Sequence, residues 1–432
     1  MPLPQAPIAR APGGSEDRGG LLQLLGIDMR RPVTAAICLR PRRRRPGAAA
    51  LLALALAAGA GLAHGDEAKP GFLDRFRDAQ DNAFDVSDWL LEHRGFLPVP
   101  VVVTEPAVGY GGGVFLLFFN KPAARDGEPA PPAAPDPANA PRLTPPDIYA
   151  VGGAATENGT WAGAAGGMVT FDDDRYRWRG GIARMSVNLD FYGPGGRYGP
   201  IGYTLDGWAS VQQGALRLGR SDAWLVARWN YIDLGNQFDF TGDTGTVPPF
   251  VKTSRASGAG LSLEYDSRDN IFTPSRGVKA DLEGTFYDPA IGSDTRFQTY
   301  RAHAFGWWPL NRSFVLAGRV DGRAATGDAP FYMLPFVDLR GVPIARLQDE
   351  RVAVVETELR WNLTPRWALV GFVGDGRVWG FGRSFSEGTG TLAGGAGFRY
   401  QIARKLGLYV GLDFARSSVD QAVYIQVGNA WR

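Results

Sequence analysis

The chain has 432 residues, 58 of them glycine, and carries 46 basic and 44 acidic side chains. A soluble protein of this length would divide into two or three domains, whereas a single β-barrel can use the whole chain. Residues 1–65 hold nine arginines and three acids. The remainder therefore has 46 − 9 = 37 basic and 44 − 3 = 41 acidic residues, a formal charge of −4. The basic character therefore belongs to the N-terminal region, and no nucleic-acid partner is expected.

The N-terminal region has the order of a secretory signal peptide. Arginines at 40 and 42–45 precede an Ala/Leu-rich segment at 47–62, and small residues follow at 63–65. This apolar run of roughly 16 residues is shorter than the about 20 that a spanning helix needs, although an uncleaved anchor is the alternative. We assign 1–65 to a signal peptide, with a possible over-extended start before Met29. Cys38, the only cysteine, lies within it, so no disulfide framework is expected.

Residues 66–96 are predicted to hold a short N-terminal amphipathic helix, from Phe72 to His93. Apolar residues recur at helical spacing, and aspartates occupy the other side. The apolar face includes Phe72, Phe76, Trp89 and Leu90. Two positions are open for this helix: against the barrel or the periplasmic membrane face, or inside the lumen as a plug.

From Leu97 onward the hydrophobic pattern changes to a period of two. Leu282 and Phe286, for example, alternate with Asp281 and Glu283. The dry core of a soluble sandwich could not hold such charges, but a wet lumen can. A propeller is the other soluble alternative, and no repeat of about 40 residues supports it. The sequence therefore predicts an all-β fold, a transmembrane antiparallel β-barrel over 97–432.

The strand count is about 16, an even number, as a single-chain bacterial barrel requires. The predicted strands are 98–104, 109–119, 148–156, 160–171, 176–190, 201–217, 222–234, 257–267, 276–287, 296–308, 312–324, 351–362, 366–379, 390–402, 406–416 and 421–431. Short turns should face the periplasm, and long loops such as 235–253 and 327–350 should be extracellular. A Pro/Ala-rich loop at 121–146 breaks this alternation. Aromatic girdles are expected from Trp307, Trp308, Trp361, Trp367 and Trp379.

Several motifs resemble the BamA/TamA superfamily of outer-membrane barrels, often described as bacterial surface antigens. They are GLSLEYDSRDNIFTPSRG at 260–277, LRG at 339–341, ETELRW at 356–361 and GFVGDGRVW at 371–379. The resemblance implies that a long extracellular loop folds back into the lumen. Arg340 would lie at its tip and Gly341 would permit the tight turn. Glu358 and Asp375 would be the partners of Arg340. The alternative is a solvated loop arginine.

The chain departs from this family in its N-terminal region and at its C-terminus. Only about 30 residues separate the predicted cleavage site from the first strand, too few for a POTRA domain. The alternating run of Val423, Ile425, Val427 and Trp431 resembles a C-terminal assembly signal, although Arg432 follows the final aromatic residue.

No catalytic constellation or metal-ligand spacing stands out, so we expect neither an enzyme nor a cofactor. His303 alternates in phase with Thr299 and Arg301, which indicates a lumen-lining group. The expected location is the Gram-negative outer membrane, and the expected state is a monomer. Its partners would be outer-membrane lipid, lipopolysaccharide and the assembly machinery that inserts it. Two functions stay open: insertion or export of other proteins, or a passive pore or structural surface barrel. The client or solute is unknown.

Overall fold

The computed structural model describes residues 76–78, 80–92, 96–120, 147–238 and 250–431. The predicted signal peptide at 1–65, the loop at 121–146 and Phe72 lie outside these residues. The compact unit that contains the described residues extends from Lys69 to Arg432. Among the described residues, no helix is long and apolar enough to cross a membrane.

Sixteen strands form one antiparallel sheet in which each strand pairs with the next along the chain. The strands are β1 (Phe96–Val103), β2 (Gly111–Asn120), β3 (Asp147–Thr156), β4 (Trp161–Phe171), β5 (Tyr176–Phe191), β6 (Ile201–Arg217), β7 (Ala223–Phe238), β8 (Phe250–Asp266), β9 (Gly277–Tyr287), β10 (Phe297–Pro309), β11 (Phe314–Gly327), β12 (Arg351–Asn362), β13 (Trp367–Trp379), β14 (Thr389–Ala403), β15 (Leu408–Ser417) and β16 (Gln421–Val427). Each overlaps one predicted strand, so the predicted barrel and its strand number are confirmed.

The alternation of side chains gives this sheet an apolar outer face and a charged inner face. Leu261, Leu282 and Leu392 point outward and are each more than 60% exposed, as lipid-facing residues should be. On the inner face Arg179 pairs with Glu264 at 2.6 Å, one of several ion pairs that line the wall. The sheet thus curves around a polar lumen.

Strands β5 to β8 have 16 or 17 residues, more than the 9–11 that cross a bilayer. Toward their extracellular ends the polarity reverses. Asp190 and Asp206 lie on the outer face and are exposed, while Phe191 and Tyr203 face the interior. These four strands therefore extend beyond the lipid, with an apolar core inside their outer ends.

Three expectations about the strands need correction. The predicted loop at 235–253 is shorter, because β7 and β8 continue their pairing through Gly235 and Thr253. The last strand ends at Val427 because Gly428 takes a left-handed backbone conformation, with φ of 76°, and turns the chain inward. Trp307 does not belong to a lipid-facing girdle, since it is buried against Phe305 and Trp431 on the inner side.

Candidate functional site: the lumen loop and the barrel seam

The connection between β11 and β12, residues 328–350, folds into the barrel, and we term it the lumen loop. Its residues Val337, Leu339, Val342 and Leu347 are buried against the inner faces of β12, β13 and β14. Phe331 packs against the opposite wall, with its ring centroid 5.3 Å from Phe191 and 5.1 Å from Tyr203. Apolar side chains at both ends of the loop therefore hold it across the lumen.

Arg340 is the centre of a buried charge network. Its guanidinium contacts Glu356 Oε1 at 2.7 Å, Glu358 Oε2 at 2.7 Å and Asp413 Oδ2 at 2.8 Å. The Arg340 Cζ atom lies 3.5 Å from the centroid of the Phe372 ring. The planar fork of an arginine suits several carboxylates at once, and the ring face favours the cation.

The surrounding groups balance the charge of this network. Arg399 donates to Asp413 from Nη1 at 2.5 Å and from Nη2 at 2.9 Å. Arg319 lies 3.7 Å from Glu356. Three acids thus meet three arginines, which limits the cost of burying charge.

The structure brings Glu358 to Arg340 but not Asp375, and that part of the expectation is corrected. Asp375 lies opposite Val355 and Leu392, both on the exposed outer face. Since adjacent strand residues point to opposite faces, Gly374 faces the lumen instead. An offset of one residue therefore separates Asp375 from the network.

The sequence reasoning missed Asp413, although a signal for it exists. Asp413 is fully buried on β15, between the outward residues Leu412 and Phe414. The neighbours of this acid in the sequence are apolar and suit the lipid side of the strand. The acid between them should therefore face the lumen and find a partner there, because a lipid-facing carboxylate would be costly. What the sequence could not indicate is which arginine reaches it.

The tip of the lumen loop contacts β16 and the segment that follows β1, on the two sides of the opening in the barrel. Gly341 N–H donates to the hydroxyl of Tyr424 on β16 at 3.0 Å, and Ser417 Oγ donates to the Gly341 carbonyl at 2.7 Å. Just after β1, Glu105 accepts a bond from Ile344 N–H at 3.0 Å. Gly341 has φ of 89°, and an added β-carbon would lie 3.1 Å from the Arg416 backbone. Glycine is required here for both reasons.

The predicted C-terminal signal divides between the two faces. Val423, Ile425 and Val427 pair with Phe414, Leu412 and Val410 on the lipid side of β15. Trp431 instead enters the lumen, where its Nε1–H donates to Glu356 Oε2 at 2.8 Å and its ring stacks on Phe305 at 6.1 Å. The chain terminus thus fills the interior next to the Arg340 network.

The predicted helix from Phe72 to His93 needs correction. Among the described residues of this stretch, Ser87–Glu92 forms the only α-helix. Before it, Arg77 and Phe84 form a β-bridge, and Asp85 N–H donates to the Phe76 carbonyl at 2.8 Å. Phe76 packs on Phe84 and Trp89 at 5.9 and 6.0 Å. Leu90 lies within the short helix, where its N–H donates to Val86.

We term the described residues 76–78 and 80–92 the strap, because they bind the β12–β13 and β14–β15 turns, which are short as expected of periplasmic turns. Arg366, in the β12–β13 turn, contacts Asp78, Asp81 and Asp85 at 2.8, 2.6 and 2.5 Å. Arg404, in the β14–β15 turn, contacts Asp78 at 2.5 Å. Hydrogen bonds from Arg404 hold the pKa of Asp78 well below its usual range, and those from Arg366 lower the pKa of Asp81. These contacts place the described strap at the rim, not in the lumen.

No ladder joins β1 to β16 among the described strands, so the barrel has one open seam. The β1–β2 ladder has eight pairs and the β15–β16 ladder has seven, compared with sixteen for β5–β6. The seam therefore lies between two of the shortest strand pairings among the described strands, directly outside the tip of the lumen loop.

Comparison with known proteins agrees with this architecture. Residues 251–426 match the model of the Omp85 superfamily domain. BamA from Haemophilus ducreyi lacking POTRA domains 1–3 has a similar fold, with a TM-score of 0.52 at 12% identity over 78% of this chain and 70% of that one. CdiB from Escherichia coli gives a TM-score of 0.52 at 12% identity, over 76% of this chain and 61% of CdiB. No curated protein sequence is significantly similar.

Residues 251–426 thus match the Omp85 superfamily domain, in agreement with the resemblance to the BamA/TamA group, and they lie within a 16-stranded outer-membrane-type barrel. This domain match implies an outer-membrane location. The residues that the structure describes contain no POTRA domain and no cluster of three or more potential metal ligands.

Proposed function

We propose that this protein assists other proteins to insert into or cross the outer membrane, and that it does so at the β1–β16 seam. One observation carries the proposal: the seam is open while the lumen behind it is occupied. An unpaired strand edge is a template for another strand. A lumen filled by the loop and by Trp431 is poorly suited to steady conduction.

The lumen loop supports this function by holding the region around the seam. Its tip binds Tyr424 on β16 and Glu105 beyond β1, while Arg340 binds β12 and β15. The strands bordering the seam thus have an internal support that does not depend on their pairing with each other. A barrel of this kind can stay folded while the seam is open.

The remaining features of the proposal concern partners and chemistry. We expect a monomer that contacts lipid and lipopolysaccharide, depends on the cell's assembly machinery for its own insertion, and has no enzymatic activity. The structural neighbours BamA and CdiB share its barrel fold. This likeness is the reason why we propose insertion or export rather than a passive pore.

Two measurements test the function. In liposomes containing the protein, a urea-unfolded client barrel should insert several-fold faster than in empty liposomes, as judged by its heat-modifiable gel mobility. The Arg340→Ala variant, checked for folding, should be slower. In planar bilayers the protein should show only rare, brief openings. A steady, large conductance together with unaccelerated insertion would instead identify a passive pore.

A further inference from the structure

The seam edge of β1 lacks hydrogen-bond donors at its centre. Along a strand, alternate residues direct their backbone groups to opposite neighbours. The Val101 carbonyl oxygen points to β2, where it lies 3.3 Å from the position a β-carbon on Gly112 would take. Pro98, Pro100 and Val102 therefore direct their backbone groups to the seam. Since proline has no N–H, the middle of this edge offers carbonyl acceptors only.

The intact β1–β2 ladder supports this orientation. Its eight consecutive pairs run from Phe96–Phe118 to Val103–Gly111. If the prolines faced β2, two donors of that ladder would be missing from its middle. Both prolines instead direct their backbone groups to the edge of β1 that has no partner strand.

The seam edge of β16 has a backbone N–H donor and a carbonyl acceptor at every residue that faces the seam. Gly428 N–H donates to the Tyr409 carbonyl at 2.7 Å, so this residue faces β15. By alternation Val423, Ile425 and Val427 face the seam, and each offers one N–H and one carbonyl group. Their side chains are on the outer, lipid-facing side. This edge has the hydrogen-bonding pattern of an ordinary transmembrane strand.

The two edges of the seam therefore do not match. If β1 closed onto β16, carbonyl groups of β16 would face prolines and find no donor. Within hydrocarbon such unsatisfied groups are costly, because no water is available to replace the missing partner. A regular strand from elsewhere would satisfy β16 better than the barrel's own β1 does.

Building on the proposed function, we propose that β16 is the receiving edge of this barrel. Its occupant is a transmembrane strand of a client chain that runs outward, antiparallel to β16, with a donor at every seam-facing residue and apolar side chains toward lipid. Pro98 and Pro100 keep β1 from occupying that position. A second copy in the same membrane would present its own β16 in the parallel direction, a less stable pairing, and its β1 would carry the same prolines.

The first test restores the donors of β1 with the double variant Pro98→Val/Pro100→Val. Valine suits a strand whose other residues are mostly valine. Amide exchange at Val423, Ile425 and Val427 should slow by about tenfold or more as β1 closes on β16, and client insertion should slow with it. Pro309→Val, at the end of β10 and away from the seam, is the matched control and should change neither rate. Unchanged exchange in a folded double variant would overturn the proposal.

The second test needs no proline substitution. A photoreactive residue at Ile425 on β16, or at Val102 on β1, reports which edge the client strand meets during insertion. Capture mainly from position 425 is expected. Capture mainly from position 102, or a dimer of this chain linked through position 425, would overturn the proposal. If the protein does not accelerate insertion at all, the proposed function fails, whereas the exchange measurement still tests the mismatch of the two edges.

Discussion

The Arg340 guanidinium lies 2.8 Å from the carboxylate of Asp413, although 73 residues separate them in the chain. This contact joins the lumen loop to β15, one strand away from the seam. Together with Glu356 and Glu358 on β12, it fixes the loop tip across four strands of the wall. The network is buried, so its members depend strongly on one another.

Replacing Arg340 with alanine should destabilise the barrel by about 3–5 kcal/mol, because three carboxylates lose their shared cation in a desolvated site. The folded form should lose its heat-modifiable gel mobility at a lower temperature. Arg255→Ala is the control: its pair with Asp294 lies 3.2 Å apart but is largely exposed, so about 0–1 kcal/mol is expected. Equal transition temperatures for wild type and Arg340→Ala would contradict a structural role for the network.

Asp413→Asn and Asp375→Asn form a matched pair that tests the corrected partner. The first removes a buried charge that Arg340 and Arg399 both bind, and should cost about 3 kcal/mol or more. The second changes an exposed residue on the outer face and should stay within about 0.5 kcal/mol. Urea or thermal unfolding in detergent measures both. The reverse order of effects would restore Asp375 as the partner.

Trp431→Ala should both destabilise the barrel and open its interior. The loss of a buried tryptophan side chain typically costs about 3–5 kcal/mol, and here the Glu356 carboxylate also loses a donor. Single-channel recording should show longer or larger openings than the wild type. Trp431→Phe keeps the packing on Phe305 and removes only the donor, so its recordings should stay near the wild type. Deleting the strap should not produce the openings, because the strap lies outside the lumen.

Attachment of the strap should depend on pH. The pKa of Asp78 is lowered in the folded protein, so the strap contacts contribute stability above the ordinary value of 3.8 and lose it as the pH falls toward the lowered value. A spin label at the exposed position Gln80 should be immobile at neutral pH and become mobile only as the pH falls well below 3.8, toward the lowered pKa of Asp78.

Arg366→Gln should release the same label at neutral pH, since it removes the partner of three aspartates. Arg220→Gln, in the exposed β6–β7 turn, is the control and should leave the label immobile. A label that moves equally in both variants would show that the strap is not held by Arg366.

The position of the barrel strands follows directly from local patterns, because side-chain alternation along a strand needs no knowledge of distant contacts. Glu358 could be named as a neighbour of Arg340 for the same reason: it lies on the inner face of the strand that follows the loop. The strap could not be predicted as a hairpin, since its helical spacing is outweighed by the arginines of two distant turns that bind Asp78, Asp81 and Asp85. Asp375 was misplaced by one residue of register.

The alternating residues of this chain determine a barrel, its strand order and the faces that meet lipid and lumen, because these depend on neighbours a few positions apart. Only the tertiary structure decides where the lumen loop lands, which acids surround Arg340 and that Trp431 turns inward. These contacts bring together residues separated by up to 239 positions, and their pairing depends on the closure and register of the whole sheet. The mismatch between the edges of β1 and β16 depends on the sequence and on the fold. The sequence supplies two prolines, and the fold places them opposite a strand whose backbone donors and acceptors are all present.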